Sequence, residues 1–289
     1  MEKLIYSIFA LMTLFSNLNA QEEIKLYKNG PTESNEIKEK ETFQRADFVA
    51  NISEPRMYFY GVTKDMSCGT AVLICPGGGY SGVSVIKEGE EIAKWFNQLG
   101  ISAFVLYYRM PNGHCGIPLV DAQAALKIIH ERAKEWNINK NSIGIMGFSA
   151  GGHLASTVGT HFKTKTDRPA FMILGYPVIT MNKELTHKGS RNNLLGNNPS
   201  DETVKLFSNE LQITKDTPPA FIVYANDDKT VPVENSRMFY KELQSKNISS
   251  EIHSFDIGGH GFGMRKNGIP ADNWPDLLKS WLKSNKLIK

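Results

Sequence analysis

The sequence predicts an α/β domain in which a mostly parallel central sheet carries helices on both faces. Three observations predict it. Apolar runs of strand length alternate with runs of helical period along the chain. The central runs are continuously apolar, as in strands covered on both faces. Loops rich in Gly and Asp follow those runs, at the strand ends where functional loops of such sheets lie.

The elements follow in order. Residues 69–75 (GTAVLIC) form a strand that stops at Pro76 and three glycines. Residues 88–99 place Ile92, Trp95, Phe96 and Leu99 at helical spacing, and Gly100 ends the helix. Residues 101–107 are the next strand. Residues 120–136 form a helix with a stripe of Ala124, Ile128 and Ala133. A strand at 142–146 runs into a small-residue helix from Ala150. Strands at 171–174, 220–224 and 251–255 follow, with helices near 235–246 and 276–284. Residues 181–217 are long for a plain connection and read as a small insertion with one short helix near 201–207, placed to cover a site mouth. Residues 33–45 are charged, lack periodicity and read as a solvated lead-in.

Composition bounds the function. Of 289 residues, 41% are hydrophobic and 22% charged, enough for a closed core and against disorder. The 33 basic and 30 acidic residues are interspersed, so neither a nucleic-acid partner nor a membrane surface is expected. Residues 1–20 read as a signal peptide: Lys3, an apolar stretch from Leu4 to Phe15, then Asn17–Ala20 before Gln21. That leaves residues 21–289 as the working domain, exported to the periplasm or outside the cell, with no stable membrane insertion after removal. Three cysteines (Cys68, Cys75, Cys115) make no disulfide framework, though one bridge is possible. No Cys/His spacing suggests a metal, and no cofactor is expected.

The chemistry lies in three loops. Gly147-Phe148-Ser149-Ala150-Gly151 follows a strand and opens a helix. In that context G-x-S-x-G is a strained turn that exposes a serine nucleophile, flanked by glycines because side chains there would collide. A hydroxyl needs a base. In this fold the chain order is Ser, acid, His, which leaves His253 and His260. His253 sits inside a predicted strand, whereas His260 occupies the flexible loop Gly258–Gly263. His153, four residues beyond Ser149, reads as a packing residue. After the strand at 220–224 both Asp227 and Asp228 are candidates for the acid. Asp228 is preferred as the carboxylate that orients the imidazole, with Asp227 as a turn-former. Pro76-Gly77-Gly78-Gly79 offers backbone N–H groups for an oxyanion hole, with Gly78, Gly79 and Ala150 as donors. The glycines lack the Lys-Ser/Thr of a P-loop and the spacing of a dinucleotide fingerprint. Tyr80, Phe207 and Phe262 are candidates for shaping a small pocket.

With these motifs the chain resembles secreted bacterial esterases of the α/β-hydrolase superfamily, grouped as acetylxylan esterase-like carbohydrate esterases within a broader hormone-sensitive-lipase-like set. The matching stretches include CPGGGY (75–80), EGEEIAKWFN (88–97), AFVLYYR (103–109), GIMGFSAGGHLAS (144–156), YPVITM (176–181), SRNNLLG (190–196), TPPAFIVYANDDKTVPVENS (217–236) and GGHGFG (258–263). The similarity covers nearly all of residues 21–289. The resemblance implies an acid in a D-x-x-V-P pattern, which fits Asp228. It also implies removal of acetyl groups from carbohydrate esters such as acetylated xylan fragments. Many relatives carry His where this chain has Pro76, and some differ at Asn226. Related chains are sometimes labelled xylanases, but glycosidases generally use two carboxylates flanking the bond, and this sequence offers a Ser-His-Asp set. Competing readings are a feruloyl or other carboxylesterase, a serine peptidase on the same fold, and a non-catalytic carbohydrate-binding protein. The expected partner is a small-molecule or oligosaccharide ester.

Overall fold

The computed structural model describes residues 22–289. The signal-peptide reading of residues 1–20 lies outside them. Eleven strands are present among the described residues. Eight form one sheet in the order β1-β4-β7-β5-β8-β9-β10-β11. Its centre is β5 (Ala71–Cys75), β7 (Ser102–Tyr107), β8 (Ile143–Phe148), β9 (Met172–Gly175) and β10 (Ala220–Ala225), every residue of which is buried. The continuous apolar runs are therefore what a sheet covered on both faces requires. β11 (Ser250–Phe255) closes one edge and is half exposed, so its sequence is mixed. From β7 to β11 neighbouring strands are parallel.

At the opposite edge, β1 (Glu22–Lys25) and β4 (Arg56–Tyr60) are antiparallel additions that sequence periodicity did not reveal. β4 is an aromatic run bounded by Pro55 and Gly61, a strand signal that its half-exposed pattern obscures. Phe59 stacks on Phe104 with ring centres 4.8 Å apart and lies 4.9 Å from Trp136, which fastens this edge to the core. The solvated lead-in is corrected in part. β2 (Thr42–Arg45) pairs with β3 (Phe48–Ala50), and β3 with β6 (Gly82–Ser84), in a second, three-stranded sheet. β2 and β3 form a local hairpin whose first strand is exposed throughout, so it looked solvated, while β3 and β6 are distant in sequence.

The helices are α1 (Glu91–Gln98), α2 (Ile117–Arg132), α3 (Ser149–Thr160), α4 (Lys188–Leu195), α5 (Asp201–Leu206), α6 (Glu234–Ser245) and α7 (Trp274–Ser284). The expected helix from 88 begins instead as a π-helical turn, Ile86–Glu90, that leads into α1. α2 starts three residues before the expected Val120, at Ile117. Its buried face is Ile117, Ala122, Ala125 and Ile129, while Ala124 and Ile128 of the expected stripe are only partly buried. Arg109, just past β7, forms a buried pair with Asp121 of α2 at 2.6 Å, and Tyr27 donates to the same carboxylate. The insertion holds two helices, α4 and α5, where one was expected.

The chain crosses from β7 on one side of β5 to β8 on the other. A crevice opens outside the carboxyl ends of β5 and β8 at such a reversal. The glycine loop follows β5 and Ser149 follows β8, so topology brings both to one place.

Candidate active site

Ser149 begins α3 with φ +50°, in the left-handed region that non-glycine residues rarely occupy. The turn is possible only because its neighbours lack side chains. A Cβ on Gly147 would lie 2.0 Å from the Gly151 carbonyl oxygen, and one on Gly151 would lie 2.0 Å from the Cys75 carbonyl oxygen. Both clashes are with backbone, which cannot yield cheaply. The Ser149 carbonyl accepts from Val178 N–H at 3.0 Å, which ties the turn to the loop after β9.

His260 Nε2 lies 2.9 Å from Ser149 Oγ, and His260 Nδ1 lies 2.7 Å from Asp228 Oδ2. A carboxylate only accepts, so Nδ1 carries the hydrogen and Nε2 is left to accept the Ser149 hydroxyl. Asp228 is buried, and its Oδ1 accepts from Thr230 N–H at 2.8 Å and Val231 N–H at 3.0 Å. Ser149 opens α3 directly after β8, and Asp228 and His260 sit on the loops after β10 and β11, brought together across 111 residues of sequence. A hydroxyl, an imidazole and a buried carboxylate in this series form the arrangement that strips a proton from a serine.

Asp227 points elsewhere. Its Oδ1 accepts from Gly258 N–H at 2.9 Å and Gly259 N–H at 2.7 Å. Those bonds hold its carboxyl below the usual range. It pins the loop that presents His260. His253 lies in β11 against the Phe221 ring, away from Ser149. His153 is fully buried: Nε2 bonds the Phe207 carbonyl and Nδ1 the Tyr80 hydroxyl, each at 2.8 Å. Burial pushes it down to about 4.

Gly78 and Gly79 have φ +149° and +64°, and a Cβ on Gly78 would lie 2.2 Å from the Gly82 carbonyl oxygen. Both line the pocket with Ser149 and His260, while Ala150 is buried in the first turn of α3. The Gly77 N–H is already engaged, by Glu88 Oε2 at 2.8 Å. Glu88 was not singled out from the sequence. Its other oxygen accepts the Tyr176 hydroxyl at 2.8 Å, and Tyr176 in turn accepts Gly263 N–H at 3.2 Å. The Tyr176 ring meets the His260 ring edge-on at 5.0 Å. Burial pushes the Glu88 carboxyl up, while its two donors favour the ionised form. Glu88 thus joins the glycine loop to the His260 loop through Tyr176.

The pocket above Ser149 holds about 390 Å³, with Arg45, Asp47, Lys87, His187 and Thr230 around it and the Phe48 ring and the glycine loop in its wall. Tyr80, Phe207 and Phe262, expected to shape it, are buried behind it and contribute no wall. A larger cleft of about 660 Å³ lies beside β1, lined by residues such as Glu23, Tyr27 and Arg56, but none of Ser149, His260 and Asp228 reaches it. Among the described residues, no group of three or more His, Cys, Asp or Glu is placed to hold a metal, the three cysteines are unbridged, and no helix is long and apolar enough to cross a membrane.

Residues 59–243 match the BD-FAE family. The chain belongs to this family. The matched segment contains the glycine loop, Ser149 and Asp228, while His260 lies beyond it. An acetylxylan esterase from Xylanibacter ruminicola is 40% identical over 220 residues, which cover 75% of this chain and 46% of that protein. The chain spans between about a third and a half of the curated relatives it matches, with shares of 46% and 32%. The crystal structure of an acetyl ester-xyloside bifunctional hydrolase from Caldicellulosiruptor lactoaceticus superposes with a TM-score of 0.81 at 35% identity, covering 93% of this chain and 97% of that one. An α/β-hydrolase enzyme, MGS-M1, from a Medee basin deep-sea metagenome library gives 0.67 at 28%, covering 92% and 97%. The BD-FAE chain described here has the α/β-hydrolase fold.

Proposed function

We propose that this BD-FAE protein is a serine esterase that removes acetyl or similarly small acyl groups from carbohydrate esters such as acetylated xylan fragments. The observation that carries the reading is the hydrogen-bonded series Ser149–His260–Asp228 opening into a pocket beside the glycine loop. In this reading His260 takes the Ser149 proton as Oγ attacks the ester carbonyl. Backbone N–H groups of Gly78, Gly79 and Ala150 receive the oxyanion. His260 returns the proton to the departing alcohol, and water then releases the acid from the acyl-enzyme. The names of the similar proteins, an acetylxylan esterase and an acetyl ester-xyloside hydrolase, support the substrate class.

A glycosidase role would need two available carboxylates. The two at this pocket are committed. Glu88 is buried under Gly77, and Asp47 accepts from the Ile86 and Lys87 N–H groups and the Ser84 hydroxyl. Export of residues 21–289 after removal of residues 1–20 belongs to the same proposal, and the mass of the protein recovered outside the cytoplasm tests it.

A panel of acetylated, feruloylated and longer-chain esters, with a dipeptide amide for comparison, tests the function. Wild type is expected to favour acetylated xylo-oligosaccharides, and Ser149→Ala to lose about 10⁴-fold or more in kcat. An alanine variant that turned over these esters at the wild-type rate would overturn the mechanism. Preference for the feruloyl esters or the amide would overturn the substrate class.

A further inference from the structure

His187 stands in the pocket wall but has no part in the series Ser149–His260–Asp228. It is the residue before α4, and its side chain caps that helix: Nδ1 accepts the Ser190 N–H at 3.2 Å and lies 2.8 Å from Ser190 Oγ. An amide N–H can only donate, so Nδ1 carries no hydrogen and the hydrogen sits on Nε2. Burial lowers the affinity of this imidazole for a second proton, which keeps the neutral form and the cap together. Among the described residues, Nε2 has no hydrogen-bond partner.

The ring is also fixed in place. Its Cε1 would be 3.7 Å from a Cβ on Gly79, so it lies against the glycine loop. Gly189 leaves space for it, since a Cβ there would come within 3.1 Å of Cε1. From the same helix, Asn193 donates to the Gly79 carbonyl at 2.8 Å. α4 therefore delivers an N–H donor of known tautomer, with no partner among the described residues, to the mouth of the pocket. An acetyl group is too small to fill that pocket of about 390 Å³, so what lies against its rim is the alcohol half of the ester.

We infer that His187 is a specificity-determining residue, whose Nε2–H donates to a hydroxyl or ring oxygen of the sugar beside the scissile ester. The inference rests on the carbohydrate-ester reading and extends it. A site built to hydrogen-bond a substrate oxygen discriminates against analogues that lack it, because its polar group is then left unpaired.

Two substitutions separate the donor from the cap. In His187→Asn the amide oxygen still caps α4 in the place of Nδ1, but nothing reaches the place of Nε2. In His187→Gln the amide nitrogen reaches the place of Nε2, and the cap is lost. The quantity read is the ratio of kcat/KM for an acetylated xylo-oligosaccharide to that for p-nitrophenyl acetate, with Tm measured beside it. The ratio is expected to fall about 10-fold or more in His187→Asn, mainly through KM, with Tm near wild type. In His187→Gln the ratio is expected to stay within about 3-fold of wild type while Tm drops. A ratio unchanged in His187→Asn, or one that falls only where Tm falls, would overturn the inference and reduce His187 to a helix cap. If the wild-type protein shows no activity on the sugar ester, the carbohydrate reading fails first and takes this inference with it.

Discussion

At the scale of single residues, Asp227 and Asp228 divide two tasks between neighbouring positions. Asp228 takes one imidazole nitrogen and two backbone N–H groups, while Asp227 holds the backbone of the loop that carries the imidazole. Replacing Asp228 by Asn removes the carboxylate that selects the Nδ1–H tautomer, and kcat is expected to fall by about 10³–10⁴. Replacing Asp227 by Ala leaves the Ser149–His260–Asp228 groups intact but frees Gly258 and Gly259. Misplacement of a catalytic group by about 1 Å costs roughly 100-fold, so a loss of about 10- to 100-fold is expected. Asp227→Asn, which keeps an acceptor oxygen, is expected to stay close to wild type. Steady-state kinetics on p-nitrophenyl acetate distinguishes the three. Equal losses in Asp227→Ala and Asp228→Asn would mean that the two carboxylates are not separate in role.

At the scale of elements, the insertion between β9 and β10 supports the glycine loop as well as flanking the pocket. Asn193 of α4 donates to the Gly79 carbonyl at 2.8 Å, and its own carbonyl accepts from Gly113 N–H at 2.9 Å. Asn193→Ala should let the loop drift from its donor geometry. A fall in kcat of about 10-fold with KM little changed is expected, smaller than outright loss of an oxyanion donor. An exposed neighbour, Asn192→Ala, serves as control, and equal kinetics for the two variants would count against this support. The same elements show what a sequence reveals. The five central parallel strands were legible because burial on both faces leaves an uninterrupted apolar run. The Ser149 turn was legible because its strain demands glycines. α4 was not, since its face against the glycine loop is polar and resembles a loop. Nor was Glu88. In the π-helical turn Ile86–Glu90 a residue is added to the turn, so the buried carboxylate falls off the 3.6-residue period and looks like its half-exposed neighbours Glu90 and Glu91. β3 and β6 pair across a long sequence gap, which local pattern cannot report, and β2 beside them is exposed throughout and carries no apolar run.

At the scale of the whole molecule, His153 links three parts: the sheet through α3, the glycine loop through Tyr80, and the insertion through Phe207. Its Nε2–H donates to a carbonyl, so Nδ1 must accept the Tyr80 hydroxyl, and the arrangement requires a neutral ring. Burial lowers its protonation from the ordinary 6.5 to about 4. Between those values the unfolded chain binds a proton that the folded chain refuses, so stability rises with pH across the window and is lost as pH falls through it. For this one residue the loss by pH 4 is at most about 3 kcal/mol. His130, His161 and His187 are displaced in the same direction by burial and add to the trend. Thermal unfolding of wild type should therefore shift to lower temperature from pH 7 to pH 4.5. His153→Gln, which cannot titrate, should be less stable at pH 7 yet lose less on acidification. If the two proteins lost the same Tm over that range, another buried group would carry the pH dependence. Because α3, the glycine loop and the insertion meet at this ring, protonation should also loosen the site before the sheet: the proposed turnover of p-nitrophenyl acetate should decline at a lower temperature than global unfolding at pH 4.5, and the two should coincide at pH 7.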